Sequence, residues 1–380
     1  MAVFSATFPP YYAGSGNACF YQAQAIAELG HDVTVFTATY DGEPVDPGSV
    51  EVRRHRPVLR LGNAPLIPRL AAIRGYDVLH LHQPFIFGTD AALIARGRQR
   101  IPIVSSFHNS LLAEGIKGAL FRFYNRTVTR AAVRRSAVLT VLSLEHAASV
   151  PELADELARR PAAFITTPNG VDDAFHPGAS PVREQLGLAD DDLVALVCAK
   201  LDAAHLTKRV DLAVRAVAAV DDRRVKLLVL GGGNLQTDYE QLATSLGIAD
   251  RVRFVGDQPH ARVPDFYRAA DFLVSPSDSE SFGITQIEAM ACGKPVIITR
   301  LPGARDVSSD GVHGFHVEPG DLGELTASVR RMVAVSPAAR GAMGAAGRER
   351  VLSRYTWAHS AQRLEQAYRR AAHGVRREAG

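Results

Sequence analysis

Two glutamates separated by seven residues give the 380-residue chain its clearest chemical signal. Glu280 belongs to a polar loop, and Glu288 lies inside the helix predicted after this loop. At the junction, Phe282, Gly283 and Ile284 would present free backbone N–H groups at the positive end of a helix dipole, which favours an anion. Carboxylates roughly 12 Å apart along a helix cannot act as acid and base on one bond. They could hold the two ends of a long, hydroxyl-rich ligand with phosphates between them; a helix cap and a solvated side chain are the alternative.

Two lysines in the same half of the chain supply the opposite charge. Lys200 follows an apolar strand and Lys208 precedes a helix, so both belong to one strand-to-helix connection. Two cations on such a connection suit a diphosphate. Solvated surface lysines are the alternative interpretation.

The first half of the chain contributes a glycine-rich turn and two histidine-ended strands. Gly14 and Gly16 lie between an apolar strand and a helix, where a backbone can approach a phosphate closely. His82 and His108 end two further strands, and Asn109 follows the second. We favour His108 as a functional histidine, with His82 as second choice, because sites gather at the carboxyl ends of parallel strands. A hydrogen-bonded structural histidine is the alternative for each.

These residues are positioned by strands that alternate with helices. The pattern predicts first-half strands at 2–7, 33–37, 77–82, 103–108, 137–143 and 164–167, with a helix over 17–29. Second-half strands are predicted at 193–199, 226–230, 252–255, 272–275 and 295–299. Strand, crossover helix and strand in series predict an α/β fold with doubly wound parallel sheets. The turn-rich segment 168–177 divides the chain into two similar halves.

Composition and charge exclude several classes of protein. Hydrophobic residues make up 47% and charged residues 22% of the chain, as in an ordinary globular protein. The net charge of +3 argues against a dedicated nucleic-acid binder. Three scattered cysteines lack zinc-site spacing, and no metal site is predicted. Neither a targeting segment nor a membrane-spanning run is found in the sequence, so a cytoplasmic location is expected.

The segment from Ser275 to Val296, with its two glutamates, resembles the retaining glycosyltransferases of family 4, which have the GT-B fold. Residues 168–172, Pro-Asn-Gly-Val-Asp, resemble the link between the two domains of that family. Residues 355–357, Tyr-Thr-Trp, resemble the point where the last helix returns to the first domain. The resemblance covers essentially the whole chain.

The resemblance implies two Rossmann-like domains facing a cleft. The first, residues 1–172 with the C-terminal helix 358–380, would bind the acceptor. The second, residues 173–357, would bind the nucleotide-sugar donor.

The resemblance also implies roles for the donor-side residues. Glu280 would hold hydroxyls of the sugar and Glu288 the ribose, while the N–H groups of residues 282–284 meet the diphosphate and the sugar. Lys200 and Lys208 would neutralise the leaving diphosphate, so the family needs no metal and no cofactor besides its nucleotide-sugar co-substrate. This chain departs from the family at Lys200, because the usual Gly-Arg pair is replaced by Ala-Lys. A lysine keeps the charge but lacks the bidentate fork of arginine.

On the acceptor side the resemblance implies fewer contacts. Gly16, with Gly14 beside it, would approach the diphosphate, and His108 would lie near the sugar. His82, His108 and Asn109 form the predicted acceptor side. The expected reaction moves a hexosyl group from a UDP- or GDP-sugar to a hydroxyl acceptor, either a lipid or a small molecule.

Other functions remain open on the same residues. A sugar-nucleotide epimerase or an enzyme that forms a non-glycosidic bond could use the same glutamate pair. A non-catalytic protein that binds sugar nucleotides would keep Glu288 and the phosphate site without turnover. A nicotinamide dehydrogenase is disfavoured, because the glycines at 231–233 lack the dinucleotide spacing.

Residues 116–135 are predicted to form one amphipathic helix with six basic residues and no acidic one. Its basic residues are Lys117, Arg122, Arg126, Arg130, Arg134 and Arg135. One hypothesis is peripheral contact with the inner face of an anionic membrane or with a lipid acceptor. A weak resemblance of segments 80–84 and 107–110 to phosphatidylinositol mannosyltransferases favours the same hypothesis. A core helix with a solvated arginine face is the alternative, and the sequence predicts no oligomeric state.

Overall fold

The chain divides into two units in the structure, which is a computed structural model. One unit comprises Met1–Asn169 with Trp357–Gly380, and the other comprises Gly170–Thr356. The boundaries predicted from the sequence lie within a few residues of these divisions. The structure describes residues 1–11, 14–43, 45–61, 64–111 and 115–378, with the backbone alone at 116–117 and 374–378.

The first unit is built on a parallel sheet. Its described strands are β1 (Ala2–Phe4), β2 (Thr34–Ala38), β3 (Glu51–His55), β4 (Leu59–Leu61), β5 (Ala64–Leu66), β6 (Leu79–Gln83), β7 (Ile103–Phe107), β8 (Val138–Val141) and β9 (Phe164–Thr166). The sheet has the order β3-β2-β1-β6-β7-β8-β9, while β4 and β5 form a separate antiparallel hairpin. The strand order reverses between β1 and β6, which is where doubly wound folds bind ligands.

Helices of the first unit follow its strands. They are α1 (Gly14–Glu28), α2 (Gly88–Gln99), α3 (Gly115–Tyr124), α4 (Arg130–Arg135), α5 (Leu144–Ser149) and α6 (Pro151–Arg159), with short 3₁₀ helices at Pro68–Ala72 and Pro161–Ala163. Buried aliphatic and aromatic side chains from both faces of the sheet form the core of this unit. Such double burial is expected of a parallel sheet covered by crossover helices.

The second unit repeats this architecture. Its described strands are β10 (Leu193–Cys198), β11 (Val225–Leu230), β12 (Val252–Phe254), β13 (Phe272–Ser275), β14 (Val296–Thr299) and β15 (Gly314–Val317), in the parallel order β12-β11-β10-β13-β14-β15. Its helices are α7 (Val182–Gln185), α8 (Val210–Ala218), α9 (Gln236–Ser245), α10 (Val263–Ala269), α11 (Ile284–Ala291), α12 (Ala304–Val307), α13 (Leu322–Ala334) and α14 (Pro337–Arg354). Short 3₁₀ helices occupy Ala203–Lys208, Ala249–Arg251 and His260–Arg262. The order reverses between β10 and β13, so this sheet also has a switch point.

The last helix, α15 (Trp357–Glu378), belongs to the first unit. It packs on α1 beside the ring of Tyr21, whose centroid lies 5.0 Å from that of Trp357. The return of the chain predicted at residues 355–357 is therefore present.

The basic segment 116–135 differs from the prediction of one continuous helix. Between α3 and α4 the described backbone forms a π-helical turn, Asn125–Thr129. A π turn inserts extra chain into the helix, so the arginines spaced by four do not form one straight stripe. Asn125 is buried and its side chain donates to the backbone oxygen of Leu111 at 3.1 Å, a tertiary contact that spacing alone does not reveal.

None of the helices in the described part of the chain is both long enough and apolar enough to cross a membrane.

Candidate active-site residues

Lys208 and Glu280 form an ion pair in the second unit. Nζ of Lys208 lies 2.6 Å from Oε2 of Glu280, and the two side chains are only 29% and 16% exposed. Lys208 ends the 3₁₀ helix after β10, and Glu280 follows β13, so both lie beyond the carboxyl ends of strands at the switch point. Burial alone would raise the pKa of Glu280, but the charge and hydrogen bond of Lys208, together with backbone hydrogen bonds from Phe282 and Gly283, outweigh it and lower that pKa. Glu280 is therefore a carboxylate at neutral pH.

The loop after Glu280 folds around this carboxylate. Oε1 of Glu280 accepts the backbone N–H of Ser281 at 3.1 Å and that of Phe282 at 3.4 Å. Gly283 then caps α11 with φ of 96°, a left-handed conformation that favours glycine. The helix begins at Ile284, close to the predicted junction. The N–H of Phe282, predicted to meet an anion, already has the carboxylate of Glu280 as its acceptor.

Glu288 lies in the second turn of α11, and its carboxylate is hydrogen-bonded to Tyr267. The hydroxyl of Tyr267, from the neighbouring helix α10, donates to Oε2 of Glu288 at 2.6 Å. Burial raises the pKa of Glu288 to about 7, although the Tyr267 hydrogen bond lowers it and the charge of Asp172 raises it further. A carboxyl group that titrates near neutrality is typical of functional sites.

Lys200 has a more exposed partner. Its Nζ lies 2.7 Å from Oδ2 of Asp257, and the side chains are 54% and 61% exposed. The other carboxylate oxygen of Asp257 accepts the N–H of Gly232 at 2.9 Å. The hydrogen bond from Lys200 lowers the pKa of Asp257. Lys200 and Lys208 thus both reach carboxylates, but only Lys208 does so in a largely enclosed place.

The glycine-rich turn of the first unit is the start of a helix. Gly14 and Gly16 both belong to α1, which begins three residues earlier than predicted. A Cβ atom at Gly16 would lie 2.7 Å from Oγ1 and 2.9 Å from the backbone oxygen of Thr7, whereas one at Gly14 would meet nothing within 4 Å. Gly16 is therefore required for the close packing of α1 against the chain that follows β1.

His82 and His108 are bonded to each other. Nδ1 of His82 lies 2.9 Å from Nε2 of His108, on neighbouring strand ends, and both rings are buried. Burial lowers the pKa of His108 to about 4 and that of His82 well below its usual value. Both rings are therefore neutral at neutral pH. Asn109, the next residue, is exposed.

A third histidine, His80, packs against the ring of His82. His80 is bonded to the hydroxyl of Tyr368 in α15 at 2.8 Å and to Oγ of Ser106 in β7 at 2.7 Å. Its pKa is lowered to about 3, chiefly by burial. Three buried, neutral histidines therefore lie together on β6 and at the end of β7, with His82 and His108 at the carboxyl ends of these strands and His80 two residues before His82.

Sequence reasoning missed two partners in the second unit. Tyr267 lies among residues that indicate a helix packed on the core. The sequence therefore does not connect Tyr267 with Glu288, and only the fold brings the two side chains together. Asp257 follows the end of a strand, and this position could have indicated a site residue. No sequence motif, however, linked Asp257 to Lys200. Within the described ranges, no cluster of three or more His, Cys, Asp or Glu side chains could hold a metal ion.

The fold and these residues define an α/β enzyme with two Rossmann-like domains, each with polar residues at its switch point. Two sequence families match the chain: "Glycosyl transferases group 1" over residues 180–350, and "Glycosyltransferase Family 4" over residues 12–175. The D-inositol 3-phosphate glycosyltransferase of Geodermatophilus obscurus is 32% identical, over 92% of this chain and 83% of that one. The D-inositol 3-phosphate glycosyltransferase 1 of Catenulispora acidiphila is 31% identical, over 93% of this chain and 90% of that one.

Solved structures agree with this assignment at the level of the fold. The sucrose-phosphate synthase of Thermosynechococcus elongatus matches with a TM-score of 0.78 and 24% identity, over 97% of this chain and 98% of that one. Anabaena HepE, solved in complex with UDP, matches with a TM-score of 0.76 and 21% identity, over 96% and 98%. The protein belongs to glycosyltransferase family 4 and has the GT-B fold. It is a glycosyltransferase, an enzyme that transfers a sugar from a nucleotide-sugar donor.

Proposed function

We propose that this enzyme is a retaining, metal-independent hexosyltransferase that uses a UDP-sugar and glycosylates a hydroxyl group of a phosphorylated cyclitol. Two findings support the substrates. Relatives over most of the chain are named D-inositol 3-phosphate glycosyltransferases. Solved complexes of Anabaena HepE contain UDP and UDP-glucose, which favours UDP over GDP.

The enclosed Lys208–Glu280 ion pair carries the proposal. A leaving diphosphate gains negative charge in the transition state, and a fixed ammonium group stabilises it without a metal ion. Lys208 has this charge, and its salt bridge to Glu280 holds it beside the helix N-terminus at residues 282–284. Lys200 adds a second cation, whose pair with Asp257 is exposed.

The carboxylates serve as hydrogen-bond acceptors for the donor rather than as a nucleophile. Glu280 already accepts from Lys208 and from backbone N–H groups, so it is a stabilised carboxylate suited to sugar hydroxyls. Glu288 keeps one oxygen on Tyr267 and offers the other to ribose hydroxyls. Retention then follows from a front-face reaction, in which the leaving phosphate takes the proton of the acceptor hydroxyl.

The neutral state of His108 limits what it contributes. A ring whose pKa is about 4 carries no charge at neutral pH, so it cannot neutralise a phosphate. It can donate or accept one hydrogen bond to a sugar or acceptor hydroxyl.

The test is a transfer assay with product analysis. The purified chain is incubated with UDP-glucose or UDP-N-acetylglucosamine and an inositol monophosphate, with and without EDTA, and the product is examined by proton NMR. We expect UDP release that depends on the acceptor and persists in EDTA, with an axial anomeric bond as in the donor. An equatorial bond contradicts retention, and loss of activity in EDTA contradicts metal independence. Conversion of the donor sugar without an acceptor supports the epimerase alternative instead.

A lipid-linked acceptor is the second candidate, favoured by an exposed apolar surface on α3. Leu120 is 56% and Phe123 is 65% exposed, and the exposed side chains of Arg122 and Arg126 flank them. Apolar side chains beside arginines fit the surface of an anionic bilayer.

Sedimentation with phosphatidylglycerol vesicles at low salt tests this candidate. We expect binding that Phe123→Ser weakens, while Leu352→Ser, a matched change at an exposed leucine of the second unit (46% exposed), leaves it intact. Equal sedimentation of both variants and the unmodified protein contradicts a role of α3 in lipid contact.

A further inference from the structure

The histidine pair of the first unit has a definite geometry. β6 and β7 run in parallel with His82 opposite Ser106, and the N–H of His108 extends the ladder to the oxygen of Gln83 at 3.1 Å. The ring planes of His82 and His108 are inclined by only 18°, with centroids 5.2 Å apart. With 2.9 Å between the two nitrogens, the rings meet edge to edge, as a hydrogen bond between imidazoles requires.

The surroundings leave His82 little freedom. Its ring is 2% exposed and packs on His80, with centroids 4.3 Å apart. His80 is itself held through both nitrogens, by Tyr368 and Ser106. No described residue gives Nε2 of His82 a hydrogen-bond partner, although this atom is buried.

Two arrangements of the shared proton are conceivable because both rings are neutral. If His108 donated from Nε2, the proton of His82 would lie on its Nε2, a buried N–H group with no acceptor among the described residues. Such orphaned donors are rare and costly in folded proteins. If His82 donates from Nδ1 instead, its Nε2 is left only with an unused lone pair, and the proton of His108 lies on Nδ1.

We propose that His82 is a positioning residue, which donates its Nδ1–H to Nε2 of His108 and so fixes His108 in the tautomer that carries its proton on Nδ1. His108 then presents a hydrogen-bond donor, not an acceptor, to an oxygen of the sugar or the acceptor. The inference rests on the proposed function for its catalytic consequence, but the tautomer itself does not depend on it.

Nitrogen-15 NMR of histidine-labelled protein reads the tautomer directly. Signals of His108 are assigned by their loss in His108→Asn. We expect a protonated Nδ1 and an unprotonated Nε2 in the unmodified protein, and a shift toward the opposite tautomer in His82→Leu. A protonated Nε2 of His108 in the unmodified protein overturns the proposal, as does an unchanged tautomer in His82→Leu.

Transfer kinetics test the consequence. His82→Leu should lower kcat on the order of tenfold with little change in the KM of the donor, since one oriented hydrogen bond is lost. His82→Asn, whose amide can donate from nearly the same position, should restore most of the rate. Equal kcat in His82→Leu and the unmodified enzyme overturns the role of His82, and so does an Asn variant as slow as the Leu variant. Absence of transfer by the unmodified enzyme refutes the proposed function, and the NMR result still decides the tautomer.

Discussion

In the first unit the candidate site residues His80, His82 and His108 are neutral and form hydrogen bonds with other neutral groups, whereas in the second unit Lys208 and Glu280 are charged and form an ion pair. His80, His82 and His108 lose their charge because burial disfavours the protonated ring. Glu280 keeps its charge although it is largely enclosed, because Lys208 lies 2.6 Å away and backbone N–H groups donate to the carboxylate. Removing a charge from water costs free energy. The three histidines avoid this cost because they are neutral, whereas the ion pair with Lys208 compensates it for Glu280.

The contrast predicts how each unit responds to substitution and to pH. A change in the neutral cluster removes hydrogen bonds. A change in the ion-paired cluster leaves an unbalanced charge, which costs more when the partner is buried.

Acid should weaken the first unit most. The folded-state pKa of each clustered histidine lies below that of the unfolded chain, so below pH 6.5 the unfolded state binds protons that the folded state does not. Stability is thus lost as the pH falls from 6.5 toward about 4, by about 2 kcal/mol per histidine at pH 5.

Urea unfolding followed by the fluorescence of Trp357, the single tryptophan, reports on this unit. His108→Asn should reduce the pH dependence, and a midpoint that is the same at pH 7 and pH 5 would argue against neutral histidines.

Loss of Lys208 should damage both turnover and stability. We expect Lys208→Ala to lower kcat roughly tenfold or more, about 1.4 kcal/mol of barrier, because the leaving diphosphate loses its enclosed cation. The melting temperature should fall as well, because Glu280 loses its partner. Lys200→Ala is the matched control for stability, since its exposed pair should contribute less than about 1 kcal/mol. Undiminished turnover in Lys208→Ala removes this lysine from the mechanism, and equal destabilisation by both variants contradicts the difference in enclosure.

Nucleotide affinity should rise with pH through neutrality. Ribose hydroxyls donate to a carboxylate, so only the ionised form of Glu288 binds them fully. Because the pKa of Glu288 is about 7 in the free protein, the affinity for UDP should be about tenfold lower at pH 6 than at pH 8. Isothermal titration calorimetry measures this, with Glu288→Gln as a nearly isosteric control that lacks the titration. A pH-independent affinity in the unmodified protein contradicts the assignment.

Tyr267→Phe should also weaken the binding of UDP near neutral pH, but by a smaller factor. Without the hydroxyl, the carboxylate of Glu288 loses a donor and its pKa rises. We expect about fivefold weaker UDP binding at pH 7, equivalent to about 1 kcal/mol, and partial recovery at pH 9. Affinity equal to that of the unmodified protein at pH 7 would show that Tyr267 does not tune Glu288.

Local patterns predicted most of the fold. Apolar runs bounded by turn residues marked all but one strand of each parallel sheet, and Phe272–Ser275 was predicted with its observed bounds. β3 was missed because its sequence, Glu-Val-Arg-Arg-His, is that of a polar edge strand. β15 was also missed, since its four residues include a glycine and a histidine.

Positions of the site residues were easier to predict than their partners. The rule that ligands gather at strand carboxyl ends selected His108, while the spacing of the two glutamates selected Glu280 and the pair of cations on one strand-to-helix connection selected Lys208. Their partners depend on how distant segments pack: Tyr368 and His80 are 288 residues apart, and Lys200 and Asp257 are 57 apart. The neutral state of the histidines follows from burial, which a strand-end position does not reveal.

Binding of UDP at pH 8 with and without EDTA tests the central claim most directly, because the donor site of the second unit is proposed to work through protein cations and the two glutamates. Calorimetry should show one UDP bound per chain, with an affinity that EDTA leaves unchanged and that Glu288→Gln reduces at least tenfold, about 1.4 kcal/mol. Binding that EDTA abolishes, or that Glu288→Gln leaves intact, would contradict the proposed donor site.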